Sequence, residues 1–416
     1  MPRVTVFTPS HDPTYLADCY TDLAGQTFAD WEWVVLLNGK AMSWTPPDSD
    51  ERVRVERAPG RVRGVGVAKR LACESARGEI LVELDHDDRI TADCLAKVVA
   101  AFDEHEDAVL VFSDFTQING DGSPNSDRFD ENAGWHYDDV DIAGTTYLSC
   151  TAMEASPHNV SHIWYAPNHV RAFRRAAYLE VGGYDPDLVV LDDQDLMMRL
   201  FAAGEFVRIP ECLYLQRVHR HNTQRDPKLN AQIQEKTLEM YLTYIESMSL
   251  SWAARCGLAA VHVTTPTSVA VAPVDERFTS VTIDPAAPRI PFGPDEIGVI
   301  KAIDVLSRMP DRAAFLNECH RGMVHAGLLL TDTPSTDGRG AFQDPSNIAY
   351  YNENSFAYLT QAELSPAVPG LHARFQASHV QTYYPTQAHE QLDIPYVKAN
   401  LLAIKGGARQ GGALLC

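Results

Sequence analysis

Short apolar runs alternate with stretches whose apolar residues recur every three or four positions through the first third of the chain. The runs predict strands over residues 4–8, 33–37, 53–55, 80–84 and 108–112. The periodic stretches predict helices over residues 14–24, 67–76 and 91–102. In the first of these, Leu16, Tyr20 and Leu23 share one face, and Thr91 is the expected N-cap of the third. Strands that alternate with helices imply a mostly parallel, doubly wound α/β sheet. Residues 116–165 lack such a period and are rich in Asp, Asn, Gly and Ser, which reads as a binding loop. Helices are expected again over 173–181, 195–203 and 229–248, the last closing a first domain of residues 1–250.

A second, smaller α/β domain is expected over 259–405, with strands at 297–303 and 328–333 around a helix at 312–321. Residues 406–416, with two Gly-Gly pairs, read as a flexible tail.

Composition narrows the function classes. The chain has 416 residues, 45% hydrophobic and 22% charged, with a formal net charge of -21. That balance argues against nucleic acid or an anionic membrane as the main partner. The eight cysteines form no CxxC pair, so neither a zinc knuckle nor a disulfide framework is expected. No signal peptide and no apolar run long enough to span a bilayer stand out, so the expectation is a cytoplasmic protein without a membrane anchor.

The candidate chemistry gathers at predicted strand ends, where open α/β sheets hold their ligands. Asp85-His86-Asp87-Asp88 follows the run Glu79-Ile80-Leu81-Val82-Glu83-Leu84. Carboxylates so closely spaced repel one another unless a cation intervenes, which suits Mg²⁺ or Mn²⁺ shared with substrate phosphates. The alternative is a solvated acidic turn. Asp87 is the expected metal ligand, and Asp85 is expected to hold a ribose or a metal-bound water. Thr8, Pro9, Ser10 and Asn38 end the first two strands and are expected to border a nucleotide base. Arg61, Arg63, Lys69 and Arg70, around Gly64 and Gly66, are expected to face a diphosphate, with the glycines allowing close approach. Asp192 and Asp193 stand just before the helix expected over 195–203, and an Asp at the entry to a helix can serve as a general base. His219 could complete a metal shell through an imidazole nitrogen. Trp135-His136-Tyr137 and the run His162 to His169, including Trp164, carry aromatic and imidazole groups suited to an acceptor. Asp192, Trp164 and His169 are the acceptor-side candidates.

In order, TPSHD, LLNG, GVGVAKRLACESARGEILVELDHDD, FRRAAYLEVGGYD, LDDQDLMMRL and LYLQRVHRHNTQ resemble the family-2 glycosyltransferases with the GT-A fold. The resemblance covers residues 3–225. It implies inverting transfer of a hexose from a nucleotide diphosphate sugar, UDP being the commonest nucleotide among similar enzymes. UDP-glucose and UDP-N-acetylglucosamine are the expected donors. By position, Asp85-His86-Asp87 matches the family's DxD motif, Asp193 the catalytic base, and His219 a histidine that often joins the metal. Two departures stand out: Asn38 replaces the usual acidic base-reading residue, and Asp192 the usual Glu. A soluble acceptor is expected: a peptide Ser or Cys side chain, a saccharide or a small metabolite. A nucleotidyltransferase and a non-catalytic nucleotide-sugar-binding scaffold are the rival readings.

The second domain resembles methyltransferases that use S-adenosylmethionine, from RAAFLNECHRGMVHAGLLLTDTPSTDGRGAF onward and again at DIPYVKANLLAIKG. Glycine is absent from Val261-His262-Val263-Thr264-Thr265-Pro266, where the cofactor loop should lie, and His325-Ala326-Gly327 replaces the usual PGG turn. The resemblance therefore implies a Rossmann-like methyltransferase-type domain that has lost its cofactor and serves packing, homodimerisation or acceptor docking. An active methyltransferase is the alternative.

Overall fold

The computed structural model describes all residues except 47–49, 61, 63, 132–133, 163–166, 220–226, 269–273 and 407–416. The chain divides into two compact units, Met1–Met248 and Ser249–Cys416. Arg61, Arg63 and Trp164 lie outside the described residues, as does nearly all of the expected tail.

The first unit is built on a mixed sheet. Its strands are β1 (Val4–Ser10), β2 (Trp31–Leu37), β3 (Val53–Arg57), β4 (Ile80–Glu83), β5 (Arg89–Ile90), β6 (Ala108–Ile118), β7 (His136–Ile142), β8 (Thr145–Thr151), β9 (His169–Arg174) and β10 (Glu205–Arg217). They lie in the order β3-β2-β1-β4-β9-β6-β10-β5, with β8 beside β6 and β7 beyond it. β3, β2, β1 and β4 run parallel, while β9 enters antiparallel to both β4 and β6. β1 and β2 are buried at every position, as strands covered on both faces must be. Helix α1 (Leu16–Ala24) buries Leu16, Cys19, Tyr20 and Leu23, a single stripe at helical spacing. Then come α2 (Val65–Glu74), α3 (Cys94–Glu104), α4 (Pro157–Ser161), α5 (Arg175–Glu180), α6 (Asp192–Ala203) and the long α7 (Pro227–Arg255).

Three expectations need correction. Residues 116–165 are not one irregular loop: they hold the β7–β8 hairpin and α4. Residues 173–181 are not all helix, because Phe173 and Arg174 end β9 before α5 begins. Thr91 does not cap α3. Asp93 holds that position, and the Thr91 hydroxyl donates to its carboxylate at 2.8 Å.

The second unit has its own six-stranded sheet: β11 (Ala259–Thr264), β12 (Thr279–Thr282), β13 (Ile297–Ile303), β14 (Met323–Pro334), β15 (Phe375–Tyr383) and β16 (Tyr396–Ala403). β12, β11, β13 and β14 run parallel, and an antiparallel pair, β16 and β15, closes the edge. Its core is separate, with Val261, Ile300, Phe315, Leu329, Phe356 and Leu401 among its members. Among the described residues no helix is long and apolar enough to cross a membrane.

Candidate active site

The site forms where β1, β2 and β4 end side by side. The Asn38 N–H donates to the Ser10 carbonyl at 2.8 Å, which locks the ends of β1 and β2 together. Thr8 is fully buried. Its hydroxyl donates to the Leu84 carbonyl at 2.8 Å and accepts from the Trp33 indole at 2.9 Å. The Ser10 hydroxyl donates to the Asp12 carbonyl at 2.9 Å. Thr8, Pro9 and Ser10 thus shape the edge from inside, and Asn38 is the half-buried residue beside them.

The acidic cluster divides into two kinds of carboxylate. Asp85 and Asp87 are partly open, whereas Asp88 is buried. Asp88 accepts from the Tyr214 hydroxyl at 2.8 Å and from the Arg217 N–H at 2.6 Å, so it ties the loop to β10. Arg217 is 2% exposed. Its guanidinium donates to the Asp87 carbonyl at 2.7 Å, the Gly120 carbonyl at 3.0 Å and the Asp18 carboxylate at 2.9 Å. These bonds set the chain beyond β10 against the cluster, and His219 Nε2 lies 2.8 Å from Asp87 Oδ2. Burial, with the neighbouring Glu83 and Asp87 charges, pushes the Asp85 carboxyl up to about 7 against the pull of Lys69 and Arg171. Burial also raises Asp88 and lowers His86.

Among the described residues no three His, Cys, Asp or Glu side chains converge as a ready metal cage. A cage is not what Mg²⁺ or Mn²⁺ needs when substrate phosphates and water complete the shell. Asp87 Oδ2 and His219 Nε2, two adjacent donors of the right type on partly open side chains, fit such an ion.

The second half of the site hangs on buried cations. Lys69 Nζ lies 2.7 Å from Glu83 Oε1 and 3.5 Å from Asp192 Oδ2, with all three side chains enclosed. Arg171 on β9 lies 3.5 Å from Glu83 and donates to Asp193 Oδ2 at 2.8 Å. The Gln194 N–H donates to Asp193 Oδ1 at 2.8 Å, and Tyr184 donates to Glu83 at 3.0 Å. Leu191, at φ +62°, turns the chain so that Asp192 and Asp193 open α6. The two acids then part: the Asp193 side chain is 33% exposed, the Asp192 side chain 9%. Burial alone would raise Asp193, but Arg171 and then Lys69 outweigh it and hold the carboxyl well below its usual range. Asp192 is raised by burial against the pull of Lys69.

Several expected ligand contacts are otherwise occupied. Lys69 is enclosed between Glu83 and Asp192, so its ammonium does not stand open for a diphosphate. Arg70 donates to the Gly182 and Tyr184 carbonyls at 2.9 and 2.7 Å, tying α2 to the turn after α5. Gly66 allows close approach, but to α6: a Cβ there would stand 2.6 Å from the Asp192 Cβ. His169 is buried, stacked on Tyr214 at 4.2 Å between ring centroids, and Asp192 is buried too, so neither acceptor-side candidate faces the surface. Trp135 belongs to the core, while His136 is exposed.

Glu83, Arg171, Tyr214 and Arg217 are the site residues that the sequence reading missed. One signal was available: Glu83 is a charge inside an apolar strand, and a buried charge needs a cation.

Residues 5–181 match the family model described as Glycosyl transferase family 2. The first unit carries a family-2 glycosyltransferase domain. Asp193 and His219 lie beyond the matched span. The chain is 26% identical over 208 residues to the uncharacterized protein y4gI of Sinorhizobium fredii, covering 48% of this chain and 20% of that protein. It is 24% identical over 227 residues to the O-antigen biosynthesis protein RfbC of Myxococcus xanthus, covering 51% of this chain and 16% of that one. The chain thus spans about a fifth of the length of such relatives. A solved structure of S. aureus TarS 1-349 in complex with UDP-GlcNAc aligns at 14% identity and a TM-score of 0.43, over 61% of this chain and 72% of that one.

Proposed function

We propose that the first unit is a metal-dependent inverting glycosyltransferase that moves a hexose from a UDP-sugar to a soluble acceptor bearing a hydroxyl or thiol. The observation that carries this reading is a pair of accessible carboxylate centres, Asp87 facing His219 and Asp193 held by Arg171. They are joined through Glu83, Lys69 and the Asp85 loop. Asp87 and His219 would hold Mn²⁺ or Mg²⁺, which when bound neutralises the donor diphosphate and the charge that grows on it. Asn38 borders the base, and Asp85 meets the ribose. Asp193 takes the acceptor proton as the acceptor atom attacks the anomeric carbon from the face opposite the diphosphate, and this displacement inverts that carbon.

A thermal-shift screen of UDP-glucose, UDP-N-acetylglucosamine and other nucleotide sugars with Mn²⁺ tests the reading, since a ligand that binds the folded chain stabilises it by mass action. Stabilisation by one donor, lost in Asp87→Asn and kept in Asp193→Asn, is expected. No stabilisation by any of them rejects the reading.

For the second unit, the parallel sheet closed by an antiparallel pair supports a methyltransferase-like domain. No glycine stands in Val261-His262-Val263-Thr264-Thr265-Pro266 at the end of β11, where the cofactor loop is expected, which supports loss of the cofactor function. Titration calorimetry with S-adenosylmethionine decides, and micromolar binding would overturn the loss.

A further inference from the structure

Arg171 pairs across the sheet with Glu83, so both side chains leave the same face of neighbouring strands. Glu83 is fastened from α2 by Lys69 and from the loop after α5 by Tyr184. The Arg171 side chain, 13% exposed, bridges this anchored carboxylate to Asp193, whose side chain is 33% exposed. In this pair the cation is enclosed and the carboxylate is the more open partner. A carboxylate oxygen accepts in two directions. Arg171 occupies one direction on Asp193 Oδ2 and the Gln194 N–H one on Oδ1, which leaves acceptor capacity on the open side.

We propose that Arg171 is a positioning residue for the transfer step, fixing the orientation and charge of Asp193 through a guanidinium that Glu83 anchors. This rests on the reading of Asp193 as the base. In the step, the acceptor's O–H or S–H bond breaks and its proton passes to Asp193. The acceptor atom bonds to the anomeric carbon. The bond from that carbon to the diphosphate oxygen breaks, and its electron pair leaves with the diphosphate. The charged and titratable groups around Asp193 are Arg171 and His169 from β9, Lys69 from α2, Glu83 from β4 and Asp192 from its own helix. Asp85 shares the same two cations.

Two readouts test the proposal. One is the ¹³C carboxyl signal of Asp193, assigned by its loss in Asp193→Asn. The other is the pH profile of UDP release from UDP-glucose and UDP-N-acetylglucosamine with Mn²⁺, water serving as acceptor. In Arg171→Met the Asp193 titration should move up by about 1–3 pH units. The acid limb of kcat should move with it and kcat should fall by ~100-fold, with donor KM little changed. Arg171→Lys keeps the charge but not the fork, so it should restore part of kcat and give an intermediate titration. An unmoved Asp193 signal in both variants overturns the proposal. So does a further loss when Arg171→Met is added to Asp193→Asn. If Arg171→Met fails to melt cooperatively, Arg171→Lys carries the test alone. Undiminished UDP release by Asp193→Asn would instead reject the base assignment.

Discussion

Each unit sets an aspartate at the carboxyl edge of parallel strands, Asp87 after β4 and Asp304 after β13, and the two units treat their acids in opposite ways. In the first, Asp87 and Asp193 stay partly open, and each faces a nitrogen partner, His219 or Arg171. In the second, Asp304 follows β13 at 5% exposure, and its Oδ1 has no hydrogen-bond partner among the described residues. Its neighbour Asp332 on β14 is tied to Lys398 at 3.0 Å and to the Tyr383 hydroxyl at 2.8 Å. Burial, aided by Asp332 and Asp344 and opposed by Arg308 and Tyr396, pushes the Asp304 carboxyl up to about 6. The sheet edge supplies the place for an acid in both units. Access and a matched cation decide whether its charge is available for chemistry.

Exchanging an acid for its amide in each unit should break the symmetry. Asp193→Asn should cut UDP release by about 10²–10⁴-fold, the usual worth of a general base. Asp304→Asn should leave the rate untouched. Equal losses, measured side by side with the same donor, would mean that the second unit's edge takes part in the reaction.

A second variant tests the cations that distinguish the first unit. Lys69→Met removes the ammonium between Glu83 and Asp192 and leaves two enclosed carboxylates, of which Glu83 keeps Arg171 at 3.5 Å. Breaking a buried pair in this way costs about 3–5 kcal/mol. Urea unfolding should therefore show a large loss for the transition of the first unit. A loss below about 1 kcal/mol, typical of surface ion pairs, would mean that the network is not enclosed as described.

How much of this was legible beforehand follows the same physics. β1, β2 and β4 were readable because strands buried on both faces are continuous apolar runs. The β7–β8 hairpin was not, because much of it is exposed and polar residues fill it. Its two-residue turn is Ala143-Gly144, both at positive φ, rather than the Asn-Gly that usually announces such a turn. The motif residues Asp87, Asp193 and His219 could be picked out one at a time. The partnership of Lys69, Glu83 and Arg171 could not, because it joins three distant segments through one register, Glu83 opposite Arg171.

Asp304 also makes the comparison a matter of pH. Its folded value of about 6 lies above the ~3.9 of an unfolded aspartate, so between these the folded chain binds more protons. Stability of the second unit should accordingly fall as pH rises from ~4 to ~6 and level off above. A shift of two units sets a ceiling of about 3 kcal/mol on the effect. Denaturant unfolding of the full chain across that window should show this slope in the second transition. Asp304→Asn should flatten it, and an unchanged slope would assign the effect to another group.

The smallest expected effect lies near the start of β14. Ala326 is held at φ +62°, where a Cβ crowds the backbone at a cost of about 1–2 kcal/mol. Glycine removes that strain but adds freedom to the unfolded chain, which offsets about 0.4–1 kcal/mol of the gain. Ala326→Gly should therefore raise the stability of the second unit by less than about 1.5 kcal/mol. Leu191, the left-handed residue at the start of α6, offers the matching test in the first unit. It is also buried, so glycine there gives up apolar contact worth about 1.5–3 kcal/mol while relieving similar strain. Leu191→Gly should be net destabilising. If both exchanges stabilised alike, the αL turn ahead of Asp193 would be mere strain, with no packing to hold it.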